Sequence, residues 1–288
     1  MSPFHRPAGR RLGRCRTLGA AALGAALGVM TTAGPLWATA PDAPVRVGVS
    51  NLAVFEPGGD AAVERVPSET RVVEARFQHV DATGHDIAVV VKGRGGIDIF
   101  RASRALVGDG AASVPIDGTA MFPRLAAVID GAARDAKRNA KQAATQAVGT
   151  QEFLLSVQAG ILRATYALTT LGAVHNLPAV DAARVGAAIG QVERAQRRAE
   201  RAIALPADDV AGKQREANEI DALLGPVVET AGQLMAAAAG ASDLALPTTG
   251  PGPQDALVVQ IHVDGDVAAS AELWVTPEPV IFLPMAAR

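Results

Sequence analysis

Cysteine is almost missing: the only one among 288 residues is Cys15. An intramolecular disulfide is therefore excluded, and a chain that lost its first forty residues would have no thiol chemistry at all. No G-x-S-x-G elbow, H-E-x-x-H or paired C-x-x-C occurs, and only four histidines follow residue 40. The specific signatures of an activated serine nucleophile and of a zinc site are thus absent. "GRGG" at 93–96 is followed neither by Lys-Ser/Thr nor by a helical pattern, so it reads as a hairpin turn and not as a phosphate loop. The apolar run Leu18 to Met30 is too short and too rich in Gly and Ala for a membrane span of about twenty residues.

The first forty residues also lack any acid, and this absence is informative. Arg6, Arg10, Arg11, Arg14 and Arg16 precede the apolar run, and small residues end in Ala38-Thr39-Ala40. Those three parts predict a secretory signal over 1–40, with an uncleaved anchor as the alternative. Pro41 is awkward beyond a cut at Ala40, which leaves Ala38 or Ala33 as cleavage positions. Gly13 and Arg14 stand where a twin-arginine signal wants bulky apolar residues, and no lipoprotein-type Leu-Ala-Gly-Cys occurs. The leader takes five Arg and no acid from 27 Lys+Arg and 29 Asp+Glu, leaving 22 against 29. A mature part of that sign argues against general nucleic-acid binding. The expected location is periplasmic or extracellular, with no transmembrane segment in the mature chain.

What is present falls into three stretches. Between 45 and 117, Val45, Val47 and Val49 alternate with Arg46 and Gly48, and Val73, Ala75 and Phe77 alternate with Glu74, Arg76 and Gln78. Ile87, Val89 and Val91 share a face, as do Ile97 and Ile99. Period-two patterns of β-branched residues bounded by Gly, Asp and Pro predict strands. From 121 to about 240, alanine supplies 31 residues and the apolar spacing becomes helical. Leu125, Val128, Ile129 and Ala132 begin one helix, and Leu154, Val157, Ile161, Leu168 and Leu171 line a second. Val185, Ile189, Val192, Ala199 and Ile203 line a third, and Ile220, Leu224, Val227, Ala231 and Leu234 a fourth. Gly149, Asn176-Leu177-Pro178 and Leu205-Pro206 punctuate the run, Pro123 reads as a first-turn proline, and Pro226 predicts a kink or split. Alanine seams predict close helix approach and a slender bundle.

"VVQIHVDGDVAASAELWV" at 258–275 then reads as a β-hairpin. A two-residue Asp264-Gly265 turn pairs Val263 with Asp266 and sets Ile261 against Ala268. A three-residue loop pairs Val263 with Val267, Ile261 with Ala269 and Leu257 with Leu273. A one-residue slip flips every side chain, so the apolar pattern selects the longer loop. A lone hairpin is marginal in water, and the strands before 118 are its natural cover.

"TRVVEARFQHVDATGHDIAVVVKGRGG" and "ALVVQIHVDGDVAASAELWV" together resemble the strands of bacterial extracytoplasmic immunoglobulin-like modules. The resemblance covers about 45–117 and 256–276, and departs from the family in its long helical connection. It implies a binding or assembly role in the cell envelope and carries no catalytic residues. The expected class is α+β: an antiparallel immunoglobulin-like sandwich begun at 41–118, interrupted by an Ala-rich four-helix insertion at 119–246, and completed by the C-terminal hairpin within 247–288.

Three features invite a functional reading. His79, Asp81, His85 and Asp86 surround one turn, where imidazole and carboxylate are the donors a divalent metal takes, or are ordinary turn residues at a strand end. Arg134, Lys137, Arg138 and Lys141, and then Arg194, Arg197, Arg198 and Arg201, form basic helical stripes that suit an anionic partner or a solvated face of ion pairs. Trp274, beside Glu272, His262 and Gln260, is a contact for carbohydrate or protein, or packs under "PVIFLP" at 279–284. The expectation is an exported non-enzymatic binding or adaptor protein without cofactor, its partner a protein or envelope polymer. The alternative is an envelope metal-binding protein or metal-dependent hydrolase built on the 79–86 turn.

Overall fold

The computed structural model describes residues 47–252 and 255–277. The leader and the 279–284 segment lie outside the described residues. The described residues belong to one compact unit, of α+β class with four helices and two sheets.

The described residues form eight strands: β1 (Gly48–Phe55), β2 (Arg65–Pro67), β3 (Val72–Val80), β4 (Ile87–Lys92), β5 (Asp98–Arg104), β6 (Gly110–Asp117), β7 (Leu257–Val263) and β8 (Asp266–Thr276). Between β6 and β7 run α1 (Gly118–Thr145), α2 (Thr150–Gly172), α3 (Ala179–Ala204) and α4 (Val210–Ala238). One sheet is antiparallel, in the order β1-β3-β6; the other is mixed, in the order β2-β8-β7-β4-β5, with β2 parallel to β8. The terminal hairpin thus lies against strands made before residue 118. β7 pairs with β4 from Ile87↔Val263 to Lys92↔Val258, and β8 pairs with β2.

Alternation decides the inner faces. In β3, Val73, Ala75 and Phe77 are buried, and Glu74 and Arg76 between them are half-buried. They share a core with Val54, Val114 and Ile116 of their own sheet and with Ile87, Val89, Val91, Val259, Ile261, Leu273 and Val275 of the other. β4 goes further than its expected single apolar face: Ala88 and Val90 are buried too, as befits a central strand with neighbours on both edges. The first strand begins later than "VRVGV" suggests and extends to Phe55.

The hairpin register reconciles the two alternatives. Asp264 (φ 52) and Gly265 (φ 96) make a two-residue turn with both central residues left-handed, and Val263 pairs with Asp266. A register shift between Ile261 and His262 then leaves Ala268 unpaired, so that Ile261 meets Ala269 and Leu257 meets Leu273. The expected pairing of Val263 with Val267 is therefore incorrect, while the apolar pairs further along are those the pattern demanded. A bulge absorbs the slip.

Each helix of the insertion begins or ends where the sequence is punctuated: Gly149 precedes α2, Pro178 precedes α3 and Leu205 follows it. α1 starts three residues before the expected position, because the Asp117 carboxylate accepts from Thr119 N at 2.8 Å and caps it. Pro123 consequently sits in the second turn. α4 runs through Pro226 as one continuous helix. α1 packs against α2 and α4, and α3 against the same two, so α1 and α3 lie on a diagonal. Close approach rests on small residues: a Cβ on Gly160 of α2 would fall 2.9 Å from the Ala136 Cβ of α1.

The bundle is fixed to the sheets at one end. Gly118 N donates to Arg71 O at 2.9 Å and Leu246 N to Thr70 O at 2.8 Å, so the entry and exit of the insertion are held on consecutive carbonyls. In the exit segment Leu244 N donates to Thr119 Oγ1 (2.9 Å) and Ala245 N to Asn176 Oδ1 (2.7 Å). Gly118 is required here, since a Cβ would fall 2.5 Å from the Ala245 carbonyl oxygen. Asp98 of β5 pairs with Lys92 and, at 3.9 Å, with Arg124 of α1. The 3-10 turn Arg94–Gly96 lies against Tyr166 of α2, where Gly95 (φ 68) leaves no room for a side chain.

Candidate functional site

The 79–86 residues separate into distinct bonding groups. His79 is buried, with Nδ1 3.0 Å from Gly108 O and its ring tilted against Phe77. Asp81 takes a left-handed conformation (φ 56), and its N donates to the Asp109 carboxylate at 2.9 Å. His85 instead reaches the hairpin turn, with Nδ1 2.6 Å from Asp264 Oδ2, while Asp86 N donates to Asp264 Oδ1 at 2.9 Å. Alternation along β3 turns His79 inward, whereas the turn carries His85 toward β7 and β8. Among the described residues no group of three or more His, Cys, Asp or Glu is placed to hold a metal ion. The arrangement clamps one turn to another: the hydrogen bond from His85, and then that from Asp86 N, hold the Asp264 carboxyl below its ordinary range.

A second carboxylate is lowered on the three-stranded sheet. Arg76 donates to Glu74 from Nε at 3.0 Å and from Nη2 at 2.8 Å, and Ser113 Oγ lies 3.2 Å from the same oxygen. The Arg76 hydrogen bond is the largest cause of the shift. The guanidinium stands 4.4 Å from the Phe55 ring centroid and bonds Gly59 O, so this cluster fastens the edge strand β1.

The basic stripes belong to helices on a diagonal and do not merge into one surface. Arg134 pairs with Asp130 and Arg138 with Asp135 within α1, while Lys137 crosses to Asp221 of α4 at 2.9 Å. Arg198 crosses from α3 to Glu216 of α4 at 3.0 Å. Arg194, Arg197, Arg201 and Lys141 are exposed and make no ion pair among the described residues. No ion pair joins Glu193 to Arg197 among them either.

Several clefts open on the surface. One of about 510 Å³ lies between α1 and α2, with Arg124, Asp135, Asn139 and Arg163 around Gly131 and Gly160. Trp274, half-buried, lines another of about 580 Å³ with Arg65, Thr249, Pro251 and Pro277. A third, of about 410 Å³, lies at the bundle end away from the sheets, where the start of α2 meets Ile203, Leu205 and Lys213. Lys213 is a functional candidate that sequence reasoning passes over. It is 4 % exposed, and its ammonium has no hydrogen-bond or ion-pair partner among the described residues. Only its place in "VAGKQREA", with apolar partners three and four residues away, hints at burial.

No helix of the described residues is long and apolar enough to cross a membrane. Comparison of the chain with family models, curated proteins and solved structures gives no match.

Proposed function

We propose that the chain is an exported, non-enzymatic binding or adaptor protein of the cell envelope, built as an immunoglobulin-like sandwich that carries a helical arm. One observation carries this reading: the bundle is held at one end only. Its entry and exit share the Thr70 and Arg71 carbonyls, and Asn176 and Thr119 bind the exit segment. Among the described residues the helices meet the sheets chiefly through α1 with β5 and β6 and through α2 with the Arg94–Gly96 turn, and no hydrogen bond joins the loops 146–149 and 205–209 to a strand. A 28-residue helix extends about 42 Å, so those loops stand well away from the anchored end. A rigid arm of this kind presents its tip to a second molecule while the sheets serve a first. The immunoglobulin-like reading is supported by early strands and a terminal hairpin closing around one core; the export reading rests on the basic, then apolar, start of the chain.

The test has two parts. Fractionation of producing cells should find the chain outside the cytoplasm, shortened by about the length of a signal segment. Photo-crosslinkers at Val148 and Ala207 should then yield discrete adducts in intact cells, and one at the anchored end, at Leu244, should not. A cytoplasmic, full-length chain would sink the export reading, and adducts absent from both tip positions would sink the arm.

A further inference from the structure

We infer that the cleft at the free end of the bundle is a binding site for a carboxylate carried on a short apolar chain. The inference goes beyond the adaptor reading and does not require it. Three electrostatic costs of one sign converge there. Lys213 is 4 % exposed, and its ammonium has no partner among the described residues. It occupies the first turn of α4, where the positive end of the helix dipole disfavours a cation. Across the cleft, α2 begins at Gly149 with no side-chain cap, so its first N–H groups face outward without acceptors from the helix. Lys213 lines the cleft, so its ammonium is open to an entering ligand, and an anion there answers the ammonium and both helix ends together.

Neither the acid beside the cleft, Asp209, nor the one lining it, Glu152, supplies that anion. Asp209 uses its carboxylate to cap α4, accepting from Gly212 N at 2.8 Å. Glu152 lines the cleft as an exposed residue and makes no ion pair with Lys213. The ligand's other features follow from the remaining walls. Ile203, Leu205, Ala207 and Val210 offer an apolar lining, which favours an aliphatic body over a naked oxyanion. Gln151 directs Nε2 to Ile203 O at 3.5 Å, but its buried Oε1 has no partner among the described residues, a position suited to an amide N–H beside the carboxylate. A free short-chain acid and the terminal carboxylate of a peptide share this chemistry.

Calorimetric titration of the full chain with butyrate, N-acetyl-alanyl-alanine, neutral butyramide and inorganic phosphate decides the matter. Saturable binding of a carboxylate is expected, with butyramide silent. Tighter binding of the acetylated dipeptide would indicate a peptide terminus, and tighter binding of butyrate a free acid; either supports the site. Lys213→Met should weaken binding roughly tenfold or more and Glu152→Gln should strengthen it. Because Lys213→Met replaces a largely buried chain whose charge has no protein partner among the described residues by an apolar chain of similar length, its melting temperature should not fall. Lys213→Gln provides a second variant, expected to weaken binding in the same direction. No saturable carboxylate binding, binding of phosphate alone, or affinity unchanged in both Lys213 variants would overturn the inference.

Discussion

His85 and Asp264 hold two turns together: Nδ1 of the first lies 2.6 Å from Oδ2 of the second, and Oδ1 of the same carboxylate takes the Asp86 N–H. The β3–β4 turn is thereby fastened to the β7–β8 turn beside the paired strand ends Ile87 and Val263 in the middle of the mixed sheet.

This clamp has a pH signature. The Asp264 carboxyl is held below its ordinary value, first by the His85 hydrogen bond and then by the Asp86 amide; Glu74 is likewise lowered, first by Arg76. A lowered carboxylate contributes stability that is complete above the unfolded value of about 4 and is lost as pH falls through the folded value. Asp264→Ala should therefore lower the melting temperature at pH 7, and the difference from the parent chain should shrink toward acid. Thermal melts at pH 7 and near pH 3 check this; a difference that grows toward acid contradicts it.

The bulge makes a sharper prediction. Ala268 is the unpaired residue, so deleting it straightens β8 while keeping Ile261 opposite Ala269. That deletion should give a folded protein. Deleting Ser270 instead shifts every later pair by one, turning Leu273 outward and bringing Glu272 opposite Val259. That protein should aggregate or melt far earlier, as size-exclusion and circular dichroism would report.

Two glycines on helices should respond with opposite sign. Gly160 faces α1, where a Cβ meets the Ala136 Cβ at 2.9 Å and the Ala132 O at 3.1 Å. Gly160→Val should destabilise by about 1–3 kcal/mol through overpacking. Gly186 is exposed within α3 and a Cβ there meets nothing within 4 Å. Gly186→Ala should stabilise by roughly 0.5–1 kcal/mol through helix propensity. Urea titrations measure both.

Sheets and bundle share one hydrophobic core, which predicts one unfolding transition. Trp274 on β8 is the only tryptophan besides Trp37. In a Trp37→Phe background its fluorescence reports the mixed sheet, while the far-ultraviolet dichroism is dominated by the helices. The two melts should coincide. Asn176→Ala, which leaves the buried Ala245 N–H without its acceptor, should lower both together, by about 1–3 kcal/mol.

Much of this body was legible in the letters, for reasons that can be named. Val73, Ala75 and Phe77 announce their face by alternation, and Leu154, Val157 and Ile161 by helical spacing; all six are buried. The terminal hairpin's need for earlier strands followed from its apolar face. Other elements were hidden because their signals are not local. β2 is three residues of edge strand, and β6, "GAASVPID", is rich in small residues with a proline. The clamp at Asp264 joins positions far apart in the chain, so His85 looked like a companion of His79. Lys213 was invisible because a lysine's burial is set by the helices around it.

The paired anchors of the insertion have a consequence for how the protein assembles. β4 must wait for β7 until the whole helical segment has emerged, and closing so long a loop in a coil is entropically costly. Once the four helices have condensed, however, the residues flanking them stand beside each other, pinned to Thr70 and Arg71. The helical bundle then serves the sheet as a staple that brings the distant strand to its neighbour.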